Sequence, residues 1–90
     1  MDAKKISIEA LLKEEDPIQD QIDDLVLKLI RVRKTKKITQ TQLSALTGIP
    51  QATISRVESF RSIPTLQILI KMSNALGLSL SFRQVINDDA

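Results

Sequence analysis

Residues 39–58 read TQTQLSALTGIPQATISRVE, and this stretch decides the fold of the 90-residue chain. Thr39 can cap a helix, and Gln42, three residues later, can reach back to the backbone of the cap, which makes a capping box. Gly48 can adopt the left-handed conformation that ends this helix. Pro50 suits the first turn of a second helix, where its missing N–H costs nothing. The stretch therefore predicts two short helices joined by a tight turn.

The apolar residues of this stretch predict which face of each helix is buried. Leu43 and Leu46 lie on one side of the first helix. Ile54 and Val57 recur at helical spacing on the second, and Ser44 is small enough to let the helices approach closely. The outward face of the second helix then holds Gln51, Ala52, Ser55 and Arg56, with Thr53 at its edge. Glutamine and arginine match base edges in the major groove, so the pattern is typical of a helix-turn-helix that binds DNA.

A longer region, residues 29–80, resembles the lambda-repressor-like helix-turn-helix domain of the Cro and Xre type regulators. The family pattern is met by Arg33, Thr39, Gln40, Leu43, Gly48, Gln51, Ile54, Ser55, Glu58, Pro64, Ala75, Leu76 and Gly77. The resemblance covers somewhat over half of the chain. It implies an all-α, lambda-repressor-like bundle whose second short helix enters the major groove.

The resemblance also implies roles for individual residues. It assigns Gln40 to a phosphate contact, and Gln51 and Arg56 to base edges. Ala52 is placed to meet a thymine methyl group, and Lys36 is a candidate for a further phosphate contact. The full set of predicted DNA-binding residues is Lys36, Gln40, Gln51, Ala52, Thr53, Ser55, Arg56 and Arg61.

Two further pairs of positions matter for the resemblance. Arg33 and Glu58 resemble the family's ion pair between the first helix and the recognition helix, and we expect this pair to be structural. Lys37 and Phe60 stand where the family has glycines after helices. Because a bulky residue is strained at positive φ, we expect the loop of residues 59–64 to take another shape.

Composition narrows the class of protein. Ninety residues make one small domain, near the size at which a single core is only marginally sufficient. The chain has no cysteine and no histidine, which excludes disulfides, thiolate and imidazole catalysis and the usual zinc sites. With two glycines it also lacks a phosphate-binding loop, so we expect no enzyme, no cofactor and no metal. No apolar run approaches the roughly 20 residues of a membrane span, which predicts a soluble, cytoplasmic protein.

Charge is strongly segregated along the chain, although the total is only +2. Residues 1–27 hold eight acidic and three basic side chains, a balance of −5. Residues 28–86 hold ten basic side chains and one acidic one, a balance of +9. The basic region coincides with the helix-turn-helix and suits attraction to phosphate, so double-stranded DNA is the predicted partner. The acidic residues are expected to form a solvated face rather than a metal site.

The remaining sequence predicts a bundle of five or six helices. Asp16 followed by Pro17 is a strong helix start, and Thr65 can cap a last helix that stops at Gly77. The predicted helices span residues 17–34, 40–47, 51–59 and 66–76, with 7–14 as a further short helix or a strand. In the last helix the residues expected to face the core are Leu66, Leu69, Met72 and Leu76.

The end of the chain breaks the helical pattern. Leu78, Leu80 and Phe82 alternate with polar residues, which predicts a half-buried strand. A single strand leaves its backbone groups unpaired, so we expect it to pair with the same strand of a second copy in a homodimer. The dimer would place two recognition helices roughly 34 Å apart. The predicted organisation is an acidic extension (1–16), a DNA-binding domain (17–77) and a dimerisation tail (78–90).

Two functions fit these observations. The first is a sequence-specific transcriptional regulator, most simply a repressor that binds an inverted-repeat operator as a dimer. The second is an antitoxin that also neutralises a toxin and represses its own operon, since the layout is similar to that of the HigA and HipB kinds of antitoxin. An adaptor that bridges transcription factors is a third class, against which Gln51 and Arg56 argue.

Overall fold

The computed structural model describes residues 16–86 of the chain. This part contains four α-helices, which are α1 (Pro17–Thr35), α2 (Gln40–Thr47), α3 (Gln51–Glu58) and α4 (Leu66–Ala75). Their bounds agree with the predicted helices to within one residue. The prediction of five or six helices is not met by the described residues, and the element predicted at 7–14 lies outside them. No described helix is long and apolar enough to cross a membrane.

The first helix begins where the sequence predicts, at Asp16 and Pro17. The Oδ1 atom of Asp16 accepts hydrogen bonds from the backbone N–H groups of the residues two and three positions later, at 3.0 and 3.3 Å. These bonds satisfy donors that a helix leaves free at its first turn. The buried residues of α1 are Val26, Leu29 and Arg33, at spacings of three and four, so a single face of α1 packs on the bundle.

Helices α2 and α3 cross at a turn whose local interactions match the prediction. The Thr39 hydroxyl accepts from the backbone N–H of Gln42 at 3.0 Å, and the Gln42 side chain accepts from the backbone N–H of Thr39 at 2.8 Å. Gly48 ends α2 with φ of 78°. The hydroxyl of Ser44 donates to the carbonyl of Ile49 at 2.6 Å, which ties α2 directly to the turn. This crossing fixes the angle at which α3 leaves the bundle.

The core joins all the helices around the turn. Its buried cluster is Leu29, Leu43, Ile49, Ile54, Met72 and Leu76. Two residues that were expected to be inside are not, since Leu46 is 62% and Leu66 is 65% exposed. Of the eight residues in α2 one is buried, Leu43, and no described element covers the side on which Leu46 lies. Leu66 is the first residue of α4, so its side chain lies at the rim of the bundle.

The ends of α1 and α3 keep a glycine-like backbone without glycine. Lys37 has φ of 61° and Phe60 has φ of 62°, close to the 76° of Gly77 after α4. After each of the three, the next N–H donates to the carbonyl five positions back, at 3.0, 2.9 and 2.8 Å respectively. This is the Schellman motif, which closes a helix by satisfying its last carbonyls. The expectation of another loop shape after α3 is therefore wrong at Phe60, because these bonds hold the left-handed conformation despite the side chain.

Replacing Lys37 with glycine is expected to stabilise the protein. A left-handed conformation costs a residue with a Cβ atom about 1–2 kcal/mol, and glycine's extra freedom in the unfolded chain offsets part of that gain. We expect the free energy of unfolding to rise by about 0.5–1 kcal/mol, measured by urea denaturation. The matched control is Lys36→Gly, because Lys36 has φ of −85° and gains nothing from glycine. Equal effects of the two substitutions would contradict the strain at Lys37.

The segment after α4 does not form the strand that the sequence predicts. Within the described part of the chain, residues 78–86 form neither helix nor strand. Leu78 packs against the core, Leu80 is half-buried, and the Phe82 side chain is fully exposed. Leu78 and Leu80 therefore face inward, as the alternating pattern predicts. A β-strand also needs a neighbouring strand with which to form backbone hydrogen bonds, and the described elements of this chain are all helices.

Candidate nucleic-acid interface

Helix α3 presents a polar face to solvent because its apolar face is fixed in the core. Ile54 is 0% exposed and Val57 is 1% exposed. On the opposite side the exposed residues are Gln51, Ala52, Ser55 and Arg56, with Thr53 half-buried. An α-helix about 10–12 Å across fits a major groove about 12 Å wide. The exposed residues form the recognition face, and its members are those that the sequence predicts.

A buried ion pair fixes the C-terminal end of α3 to α1. The Nε and Nη2 atoms of Arg33 each donate to a different oxygen of Glu58 at 2.7 Å. The Nη1 atom of Arg33 donates to the backbone carbonyl of Ile38 at 2.8 Å. The two charged side chains are 9% and 6% exposed. Because all three guanidinium nitrogens donate hydrogen bonds within the protein, Arg33 holds α1 to the end of α3.

Gln40 takes part in this network, which the sequence does not indicate. Its Nε2 atom donates to Oε1 of Glu58 at 2.9 Å. This hydrogen bond holds the amide of Gln40 beside the end of α3. The resemblance assigns Gln40 to a phosphate contact, and the structure places it beside α3 with its side chain held by Glu58.

A polar cleft, here called the α1–α3 cleft, lies beside the recognition face. It is lined by Ile30, Arg33, Lys34, Gln40, Ser55, Glu58 and Ser59. Ser55 belongs both to the recognition face and to the cleft, so the two surfaces are continuous. Lys34 is not among the residues predicted from the sequence. Nothing in the residues around Lys34 indicates that α3 lies beside it, because that neighbour is supplied by tertiary packing.

Two other basic residues predicted to contact DNA, Lys36 and Arg61, do not line the α1–α3 cleft. Lys36 follows α1, and a Cβ atom added to Gly77 would lie 3.3 Å from its Nζ atom. Its ammonium group is therefore beside the C-terminal end of α4, where a positive charge is favourable. Lys36 lines a shallow depression with Lys37 and Gln42, and not the α1–α3 cleft. Arg61 is exposed in the loop that follows α3.

Residues 16–86 contain no group of three or more acidic side chains arranged to hold a metal ion. The chemistry that these residues offer is hydrogen bonding and positive charge. Both are the means by which proteins bind the bases and phosphates of DNA.

Comparison with known proteins places the chain among helix-turn-helix proteins. The family model described as Helix-turn-helix matches residues 29–82. An uncharacterized HTH-type transcriptional regulator of Haemophilus influenzae is 39% identical over 57 residues, which is 63% of this chain and 58% of that protein. No solved structure gives a significant match.

Two plant proteins are similar over a stretch of the same length. Multiprotein-bridging factors 1b and 1a of Arabidopsis thaliana are 39% and 37% identical over 57 residues. These matches cover 63% of this chain and 40% of each relative. The chain therefore matches less than two thirds of the length of each of these curated relatives.

Proposed function

The chain belongs to the helix-turn-helix family, and we propose that it is a DNA-binding regulator of the Cro and Xre kind that represses transcription by binding an inverted-repeat operator as a dimer. In this proposal α3 lies in the major groove and the protein blocks access to the promoter from within the cytoplasm. The proposal goes beyond family membership in three respects, which are sequence specificity, dimerisation and repression.

One observation carries the proposal for sequence-specific binding. Gln51 and Arg56 project from a helix that is anchored by Ile54 and Val57, and Glu58 ties its end to α1. Side chains on a rigid helix can form bidentate hydrogen bonds to bases, and each good pair contributes about 1–3 kcal/mol of discrimination. Ala52 and Thr53 add methyl groups suited to contact with thymine.

Charge supports the same proposal. Residues 28–86, which include the recognition face, carry a balance of +9, while residues 1–27 carry a balance of −5. Positive charge supplies the sequence-independent part of DNA affinity and is screened by salt. The predicted roles in DNA binding remain part of this proposal for all eight residues, which are Lys36, Gln40, Gln51, Ala52, Thr53, Ser55, Arg56 and Arg61.

Selection from a random DNA pool tests the proposed function. The protein is incubated with random duplexes, and the bound sequences are recovered and read. We expect an inverted repeat whose half-sites lie about one helical turn, roughly 34 Å, apart. Recovery of random sequence alone would contradict specific binding, and recovery of single half-sites would contradict the dimer.

An apolar surface supports dimerisation without a strand. The α4–tail surface, as we call it, is formed by Leu25, Leu66, Ile70, Leu80 and Phe82. Phe82 is fully exposed and Leu66 is 65% exposed. Apolar side chains that converge in this way are typical of a surface that another protein covers. We place a second copy there, because a regulator that reads an inverted repeat needs a two-fold partner.

Substituting this surface is expected to produce monomers. The double variant Ile70→Ser, Phe82→Ser removes apolar area from the proposed interface and leaves the core cluster intact. We expect sedimentation to change from dimer to monomer and operator affinity to fall. The control is Leu46→Ser, which changes a leucine of 62% exposure on α2, outside this surface. If the double variant sediments as the parent dimer does, the interface lies elsewhere.

The antitoxin function is a second candidate, favoured by the acidic segment. Residues 1–27 carry a balance of −5 and are suited to a basic toxin protein. Co-purification with the product of a neighbouring gene, followed by loss of that protein's toxicity, would establish it. This candidate retains the same DNA-binding face, because an antitoxin of this kind also represses its own operon.

A further inference from the structure

A small cavity lies between α1, α4 and the segment that follows α4. We call it the α1–tail cavity, and its volume is about 210 Å³. It shares no lining residue with the recognition face or with the α1–α3 cleft. An apolar cavity of about 150 Å³ holds a molecule of the size of benzene, so the α1–tail cavity is large enough for a small organic ligand. Its apolar wall is formed by Leu25, Leu29, Leu69, Leu78 and Leu80.

The cavity also has a polar end, which carries one positive charge. Lys28 lines it from α1, and Ser79 lines it from the segment after α4. Both residues are exposed, and both side chains can donate hydrogen bonds. Ser73 lines the cavity as well but supplies no donor, because its hydroxyl already donates to the carbonyl of Leu69 at 2.7 Å.

The charge of Lys28 is not neutralised by the residues around it. Asp24 lies one turn earlier on α1, but the ion pair that forms within residues 16–86 is that of Arg33 with Glu58. The other walls of the cavity come from α4 and the segment after it, and residues 66–86 contain no acidic side chain. An anionic group at the polar end would therefore meet a cation and would not be repelled by a carboxylate from these walls.

Polarity changes along the cavity in one direction. Leu25 and Leu80 belong both to the cavity and to the α4–tail surface, so the apolar end leads toward that surface. Lys28 and Ser79 line the cavity but not the α4–tail surface. Small-molecule sites are mostly apolar, with a few polar groups that fix the orientation of the ligand. The arrangement is therefore suited to a ligand with an apolar chain and an anionic head.

We propose that the α1–tail cavity binds a small amphiphilic carboxylate, of the class of the medium-chain carboxylic acids. The hydrocarbon chain packs against the leucines, and the carboxylate accepts hydrogen bonds from the Lys28 ammonium and the Ser79 hydroxyl. The inference goes beyond the proposed function and does not depend on it, because neither DNA nor a second copy takes part in this binding.

Binding of octanoate to the full chain tests the site. Titration calorimetry measures the affinity, and NMR spectra of the backbone amides show where the ligand lies. We expect saturable binding, with shifts at Lys28, Ser79 and Leu80. Butanoate is expected to bind at least roughly tenfold more weakly, because it removes less apolar surface from water. Octanamide has the same chain and no charge, and we expect its affinity to be about fivefold below that of octanoate.

The variant Lys28→Gln isolates the contribution of the charge. It is expected to lower the affinity for octanoate about fivefold and to leave the affinity for octanamide unchanged. The matched control is Lys71→Gln, which removes an exposed lysine of α4 that does not line the cavity, and it is expected to bind octanoate as the parent does. Since both lysines are exposed, neither substitution changes the core cluster.

Three results would overturn the proposal. The first is the absence of saturable octanoate binding. The second is equal affinity for octanoate and octanamide, or an equal loss in Lys28→Gln and Lys71→Gln, because the ligand would then not be held by Lys28. The third is a set of shifts confined to Ile70 and Phe82, which would place octanoate on the α4–tail surface instead. Because DNA is absent from these measurements, none of the results bears on the proposed function.

Discussion

Replacement of Glu58 by alanine is expected to lower the free energy of unfolding by about 3–5 kcal/mol, because it leaves a buried charge without its partner. Arg33 is 9% exposed at its side chain and has two of its three nitrogens bonded to Glu58. After the substitution those donors face protein rather than water. Gln40 loses its acceptor as well. Thermal or urea denaturation followed by circular dichroism measures the effect, which is a large part of the stability of a small domain.

A double substitution distinguishes an unpaired charge from lost packing. In the variant Arg33→Met, Glu58→Leu both charges are replaced by apolar side chains, and stability is expected to return to within about 1–2 kcal/mol of the parent. DNA affinity is expected to be below that of the parent in both the single and the double variant, because neither has the Glu58 carboxylate that holds Gln40 in position. If the single and double variants are equally unstable, the pair acts through its shape and not through its charge.

Replacement of Arg56 by alanine is expected to weaken operator binding by about 1–3 kcal/mol, or roughly fivefold to more than a hundredfold. Arg56 is exposed on the recognition face, on a helix that Ile54 and Val57 hold in the core. If Arg56 bonds to a guanine, preference at one base pair of each half-site is lost. Titration of the selected operator and of all substitutions at that base pair measures both effects.

Arg61 provides the matched control for Arg56. It is also an exposed arginine, five residues later, but it lies in the loop after α3. Arg61→Ala is expected to weaken binding to operator and random DNA alike and to lower the salt slope, as loss of a phosphate contact does. Should Arg56→Ala reduce affinity equally for random DNA, Arg56 contacts phosphate and the base assignment is wrong.

The local elements of the fold could be predicted because their causes are local. The capping box at Thr39, the left-handed Gly48 and the Asp16 cap each depend on residues within a few positions of one another. Helix bounds followed from the same signals. Burial was less predictable, since Leu46 and Leu66 fit the apolar pattern yet are exposed. A periodic pattern marks which residues suit a core, but whether another element covers them depends on packing.

The backbone at Lys37 and Phe60 shows a different limit. Sequence preference correctly indicates strain at positive φ, and it wrongly predicts that the chain avoids it after α3. Two backbone hydrogen bonds close each of these helices, and they outweigh a cost of about 1–2 kcal/mol. The strand predicted after α4 is absent from the described residues because backbone hydrogen bonds are missing there. A strand requires a neighbouring strand as partner, and the described helices do not supply one.

By itself the sequence determined the four helices, the turn between α2 and α3, the outward face of α3 and the segregation of charge. These follow from spacing along the chain, which sets direction around a helix axis. The tertiary structure alone decided that Gln40 bonds to Glu58, that Lys34 lines a cleft with Ser55, and that the Lys36 ammonium lies beside Gly77 at the end of α4. Such contacts join residues far apart in the chain, and their geometry is set by how the helices pack.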